Sequence, residues 1–105
     1  MWITTQNKRM LINSEQIIDI YTNVSGTTIF AETNAMINGT NKIIPLGEYK
    51  DKEICLKILE HLSLVVGSDI PAINLPLNEE VDEWLKDVAN LATAYIVKDF
   101  NFRVR

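Results

Sequence analysis

The chain has 105 residues, 47% of them hydrophobic and 23% charged, with a formal net charge of −4; these are the proportions of an average globular chain, and they count against disorder and against a second large core. Residues 1–50 carry four acids against four bases and residues 51–105 carry ten against six, a balance that works against long-range attraction to nucleic-acid phosphates. No apolar run approaches the roughly 20 residues of a membrane-spanning helix, and no secretory signal is expected. Cys55 is the only cysteine, so an internal disulfide is excluded, and the cytoplasm is the expected location.

Residues 2–13 form two short extended pieces around the polar Gln6-Asn7-Lys8-Arg9 segment, which predicts a tight hairpin. Residues 17–24 are rich in β-branched and aromatic side chains, which suit a pleated surface better than a helix, and read as a strand. Ser25-Gly26 supplies a turn, and residues 27–33 return as the partner strand. Asn38-Gly39 is the strongest hairpin signal, because both residues tolerate the left-handed conformation of a type I′ turn; it joins residues 35–37 to residues 42–49. Pro45 has no N–H for a ladder, so its strand is an edge strand or turns Pro45 away from its neighbour. Gly47 in the same strand hints at a bulge.

From residue 51 the apolar period changes to 3.6. Ile54, Cys55, Ile58, Leu59, Leu62, Val65 and Val66 mark an amphipathic helix over residues 51–66, capped by Asp51 and stopped by Gly67. Residues 67–77 hold two prolines and no sustained period, and read as a packed-down linker. Asn78 is the expected cap of a second helix over residues 78–99, whose first turn carries Glu79, Glu80, Asp82 and Glu83 where the helix dipole favours negative charge. Its apolar stripe runs through Val81, Trp84, Leu85, Val88, Leu91, Ala92, Tyr95 and Ile96. Residues 100–105 alternate apolar and polar, as a frayed end or a short strand would. The expected fold is therefore α+β: a single domain with an antiparallel β-meander of four to five strands followed by two amphipathic helices.

Few residues suggest chemistry. His61, the only histidine, reads as a solvated helix residue, and no His-x₃-His or Cys-x₂-Cys spacing offers a metal site. Cys55 shares the face of Leu59 and Leu62 and reads as core; a thiol near a helix start is the reactive alternative. The acidic first turn reads as dipole compensation rather than a cation site. Asn23-Val24-Ser25 and Asn38-Gly39-Thr40 match the glycosylation pattern at positions where turns already favour these residues. Lys8 and Arg9, with Arg103 and Arg105, are the only tight basic pairs, and they would form a small anion or nucleic-acid patch if the termini met. No glycine-rich phosphate loop or nucleophile elbow is present, and neither a catalytic residue nor a cofactor is expected.

The opening Met1-Trp2-Ile3-Thr4-Thr5-Gln6-Asn7-Lys8, with Leu11-Ile12-Asn13, Leu46-Gly47-Glu48-Tyr49 and the helix start Asp51-Lys52-Glu53, resembles a group of small proteins of Gram-positive bacteria, their prophages and mobile elements. The resemblance covers about residues 1–66. It implies a few strands leading into one amphipathic helix, and it brings no catalytic or binding residues; the linker and second helix look like an extension. The leading functional expectation is a non-enzymatic accessory or interaction protein. It would self-associate, as a dimer, through Trp84, Leu85, Leu91, Tyr95 and Ile96, whose surface exceeds what so small a sheet can cover. A nucleic-acid-associated regulator is the second reading, and a small ligand-binding domain or enzyme using His61 or Cys55 the third.

Overall fold

The computed structural model describes residues 1–66 and 68–104, with side chains through residue 94. It has the expected α+β architecture: six strands and two long helices. Strands β3 (Ile17–Thr22), β4 (Thr28–Ile37) and β5 (Thr40–Glu48) form an antiparallel meander in the order β3-β4-β5. Residues 27–33 and 35–37, read from sequence as separate extended pieces, are one strand. The interruption between them is a register shift between Glu32 and Met36, and there the buried Thr33 hydroxyl donates to the Lys42 carbonyl at 3.0 Å. The Asn38-Gly39 turn forms as expected, with φ of 52° and 83°.

The first hairpin stands apart from this meander. Strands β1 (Trp2–Thr4) and β2 (Leu11–Asn13) pair antiparallel around a turn in which Lys8 takes a positive φ of 62°. The third strand of that sheet is β6 (Ala72–Asn74), which runs parallel to β1. The linker reading is thereby corrected at residues 72–74, and the single meander becomes two sheets. Three residues between Pro71 and Pro76 show no alternation long enough to read. Only the backbone of β1 makes them a strand: Trp2 N–H donates to the Pro71 carbonyl and Leu75 N–H to the Thr4 carbonyl, both at 2.9 Å.

Helix α1 (Lys52–Val65) starts where expected, the Asp51 carboxylate accepting the Ile54 N–H at 2.9 Å. Val66 occupies its C-cap; the expected stop at Gly67 lies outside the described residues. Helix α2 (Val81–Val104) is entered through a 3-10 turn at Asn78–Glu80. Asn78 does not cap it, contrary to the sequence expectation. Its side chain accepts the Lys50 N–H at 3.0 Å and donates to the Glu48 carbonyl at 3.3 Å, while the Glu80 carboxylate accepts the Leu77 N–H at 2.9 Å. Asn78 therefore ties the start of α2 to the end of β5.

One core joins all layers: Ile3, Ile12 and Ile73 from the first sheet, Ile29, Ala31, Ile44 and Leu46 from the second, Cys55, Ile58, Leu62 and Val65 from α1, and Val81, Val88 and Ala92 from α2. Gln6 stitches the sheets at the edge of β5. Its backbone N–H donates to the Leu46 carbonyl, and its side-chain amide exchanges two hydrogen bonds with the Glu48 backbone at 2.8 and 2.9 Å, as a neighbouring strand would.

Candidate functional site

The candidate chemical residues are dispersed, and Cys55 and His61 are both engaged by their surroundings. Cys55 is fully buried among the α1 core residues; burial, with the nearby Asp51 carboxylate, pushes its thiol pKa up, the reverse of what a reactive thiolate needs. His61 is half-buried on the side of α1 that faces α2. Its Nδ1 lies 2.8 Å from the Lys57 carbonyl, and its ring tilts against Trp84 with centroids 6.4 Å apart. Nδ1 therefore carries a proton and donates. The solvated-helix reading is thus modified: Trp84 covers one side of the ring.

Glu79, Glu80 and Glu83, with Asp87, line a cleft of about 330 Å³ between the start of α2 and Lys8. The cluster sits at a helix start, where the dipole favours anions, and no group of His, Cys, Asp or Glu among the described residues is arranged to hold a metal ion. Asn23 and Asn38 serve their turns: the Asn23 side chain accepts the Thr27 and Thr28 N–H groups at 3.0 and 3.1 Å, and Asn38 takes the left-handed conformation. The side chains of Arg103 and Arg105 lie outside the described residues, so their pairing with Lys8 and Arg9 does too. No helix among the described residues is long and apolar enough to cross a membrane.

The expected self-association stripe on α2 is partly used inside the chain. Trp84 and Leu85 pack against the core, and the Trp84 indole N–H donates to the Asn74 carbonyl at 2.6 Å. Leu91 is 42% exposed. Tyr95 and Ile96 lie outside the residues with described side chains.

More apolar surface lies elsewhere. On the β4–β5 hairpin Met36, Ile37 and Ile43 are exposed, and on the first sheet Trp2 and Leu11 are. A third group borders β3. Helix α1 carries a second stripe beside its core stripe: Lys52, Leu56, Leu59, Ser63 and Val66 follow one another at three- and four-residue steps, which keeps them on one flank. Leu59, Ser63 and Val66 meet Ile20 of β3 and Leu62 around a groove of about 190 Å³. Leu56, on the same flank, is 51% exposed and Val66 38%. Sequence reasoning missed this surface because both stripes fall within one wide apolar arc, and the sheet that covers one of them stops at β3.

β3 is an outer strand of its sheet, and among the described residues no backbone group pairs with its outer edge. The opposite edge, on β5, is protected. Pro45 stands across from Phe30 and Gln6 covers Leu46 and Glu48; proline and a covering segment are two usual ways of blunting an edge. β3 carries neither proline nor lysine; its edge devices are the bulge between Ile17 and Asp19 and the Asp19 carboxylate, both toward its start, which leaves Ile20 to Thr22 without one.

The sequence matches no family model, no curated protein and no solved structure.

Proposed function

We propose that this chain is a non-enzymatic accessory protein that acts through protein–protein contact and associates with itself, in its simplest form as a dimer. The observation that carries this reading is the grouping of exposed aliphatic side chains beside a strand edge that is unpaired among the described residues. Single exposed leucines and isoleucines are ordinary on any protein surface. Here Leu56 and Val66 share a flank of α1 with the half-buried Leu59, and that flank opens directly onto β3. Contiguous apolar surface of this kind favours association at about 25 cal/mol per Å² covered, before the ordering costs that reduce the net.

The candidate titratable residues support the same reading. Cys55 and His61 are engaged by packing and by a helix carbonyl, and the acids at the start of α2 are placed for charge compensation. Sedimentation equilibrium of the full chain from micromolar to several hundred micromolar tests the proposal. A reversible monomer–dimer equilibrium in that range is expected, and a clean monomer throughout overturns it.

A further inference from the structure

We infer that the dimer forms by antiparallel pairing of β3 with β3 of a second copy, which joins two three-stranded sheets into one of six strands and closes the two α1 flanks over the junction. The inference rests on the self-association proposed above and names its surface.

The direction of each backbone group on β3 follows from two hydrogen bonds. Asn23 N–H donates to the Thr28 carbonyl at 3.1 Å, and Tyr49 N–H to the Thr27 carbonyl at 2.8 Å. In an antiparallel ladder hydrogen-bonded and non-hydrogen-bonded pairs alternate. With the register Tyr21↔Phe30, Ile20↔Ala31 and Thr22↔Ile29, both bonds give the same answer. Asp19 and Tyr21 bond to β4, whereas the N–H and C=O of Ile20 and Thr22 point to the open edge.

A two-fold axis at Ile20 then makes the edge complementary to itself. Ile20 of each copy exchanges both hydrogen bonds with Ile20 of the other, Asp19 stands opposite Tyr21, and Thr22 reaches Ile18. Side-chain parity is preserved: Ile20, on the core face opposite the buried Ala31, meets its own copy there, and Asp19 and Tyr21 stay on the outer face. No like charges stand directly opposite each other, and the one bulge, between Ile17 and Asp19, falls at the end of the paired segment. The Ile20 pair opens into the groove formed with Leu59, Ser63 and Val66, so the same axis brings the two α1 flanks together.

The size of this face fits a second copy better than a lone peptide strand. A six-residue strand is roughly 20 Å long and a 14-residue helix about 21 Å, matching the lengths of β3 and α1. Strand edge and helix flank lie side by side as a two-layer face, of which a lone peptide strand would cover only the edge.

The test is sedimentation equilibrium on the full chain and three variants. Thr22→Pro removes an N–H that has no partner among the described residues of the monomer, and Val66→Lys puts a charge on the groove at an exposed position; each is expected to weaken dimerisation by about 30-fold or more. Leu91→Lys, on α2, is expected to leave it unchanged. In wild type, hydrogen exchange at the Ile20 and Thr22 amides should slow as protein concentration rises. A wild-type dimer that survives both Thr22→Pro and Val66→Lys overturns the β3 pairing while self-association stands, and still more so if Leu91→Lys breaks it. A monomeric wild type overturns both.

Discussion

At the scale of single residues, Tyr49 shows how a side chain near the end of β5 holds distant segments together. Its ring is buried, and its hydroxyl donates to the Pro76 carbonyl at 2.9 Å, 27 residues away. Gly47 makes room for it: a Cβ at Gly47 would come within 2.9 Å of the Tyr49 ring and hydroxyl. Tyr49→Phe should cost about 1–3 kcal/mol in chemical denaturation, because it leaves a buried carbonyl without its donor. Gly47→Ala should cost a similar amount, about 1–3 kcal/mol, by displacing the ring. Burial raises the Tyr49 phenol pKa well above its ordinary value, with smaller contributions from Cys55 and Glu80. The folded state therefore keeps this proton where the unfolded chain loses it, so the Tyr49 contribution to stability is unchanged below about pH 10 and falls as pH rises beyond it. Tyr49→Phe should flatten that alkaline decline, as read by urea midpoints between pH 8 and pH 11. A Tyr49→Phe profile as steep as wild type would place the titration elsewhere.

At the scale of elements, the helix starts differ in kind. Asp51 caps α1 in the ordinary way, and Asp51→Ala should cost about 1 kcal/mol through the lost bond to the Ile54 N–H. Asn78 instead cross-links the end of β5 to the entry of α2. Asn78→Asp keeps the acceptor for the Lys50 N–H but replaces the donor to the Glu48 carbonyl by a charge, so it should be less stable than wild type by about 1–2 kcal/mol. At a true N-cap the same substitution would be neutral, and thermal unfolding of Asn78→Asp distinguishes the two roles. β6 was unreadable for a related reason. Its strand character comes from Trp2 and Thr4 of β1, whose partners lie some seventy residues along the chain.

At the scale of the whole molecule, the two sheets share one core, so they should not unfold separately. Ile3 and Ile73 of the first sheet belong to the same buried cluster as Ile29 and Leu46 of the second, and Gln6 bonds across their junction. Heat denaturation followed by circular dichroism at 222 nm and by tryptophan fluorescence should give coincident transitions at a concentration where the chain is monomeric. Separated midpoints would show that the β1-β2-β6 sheet melts independently of the meander.

The sequence by itself determined the elements whose signal is local. The Asn38-Gly39 turn, the strand that follows it, the bulge near Gly47 and the outward-facing Pro45 follow from φ preferences and a missing N–H; the span of α1 and its Asp51 cap follow from a 3.6-residue period with an acceptor ahead of it. The burial of Cys55 was legible from the same period. What only the tertiary structure decided depends on groups far apart in the chain: the parallel β6, the redirected Asn78 side chain, and the Trp84 indole held by Asn74 and set against His61. The candidate interaction surface belongs with these. Periodicity shows how wide the apolar arc of α1 is, but it does not show that the sheet ends at β3, and that ending leaves Leu56 and Val66 exposed near a strand edge that no backbone group among the described residues pairs.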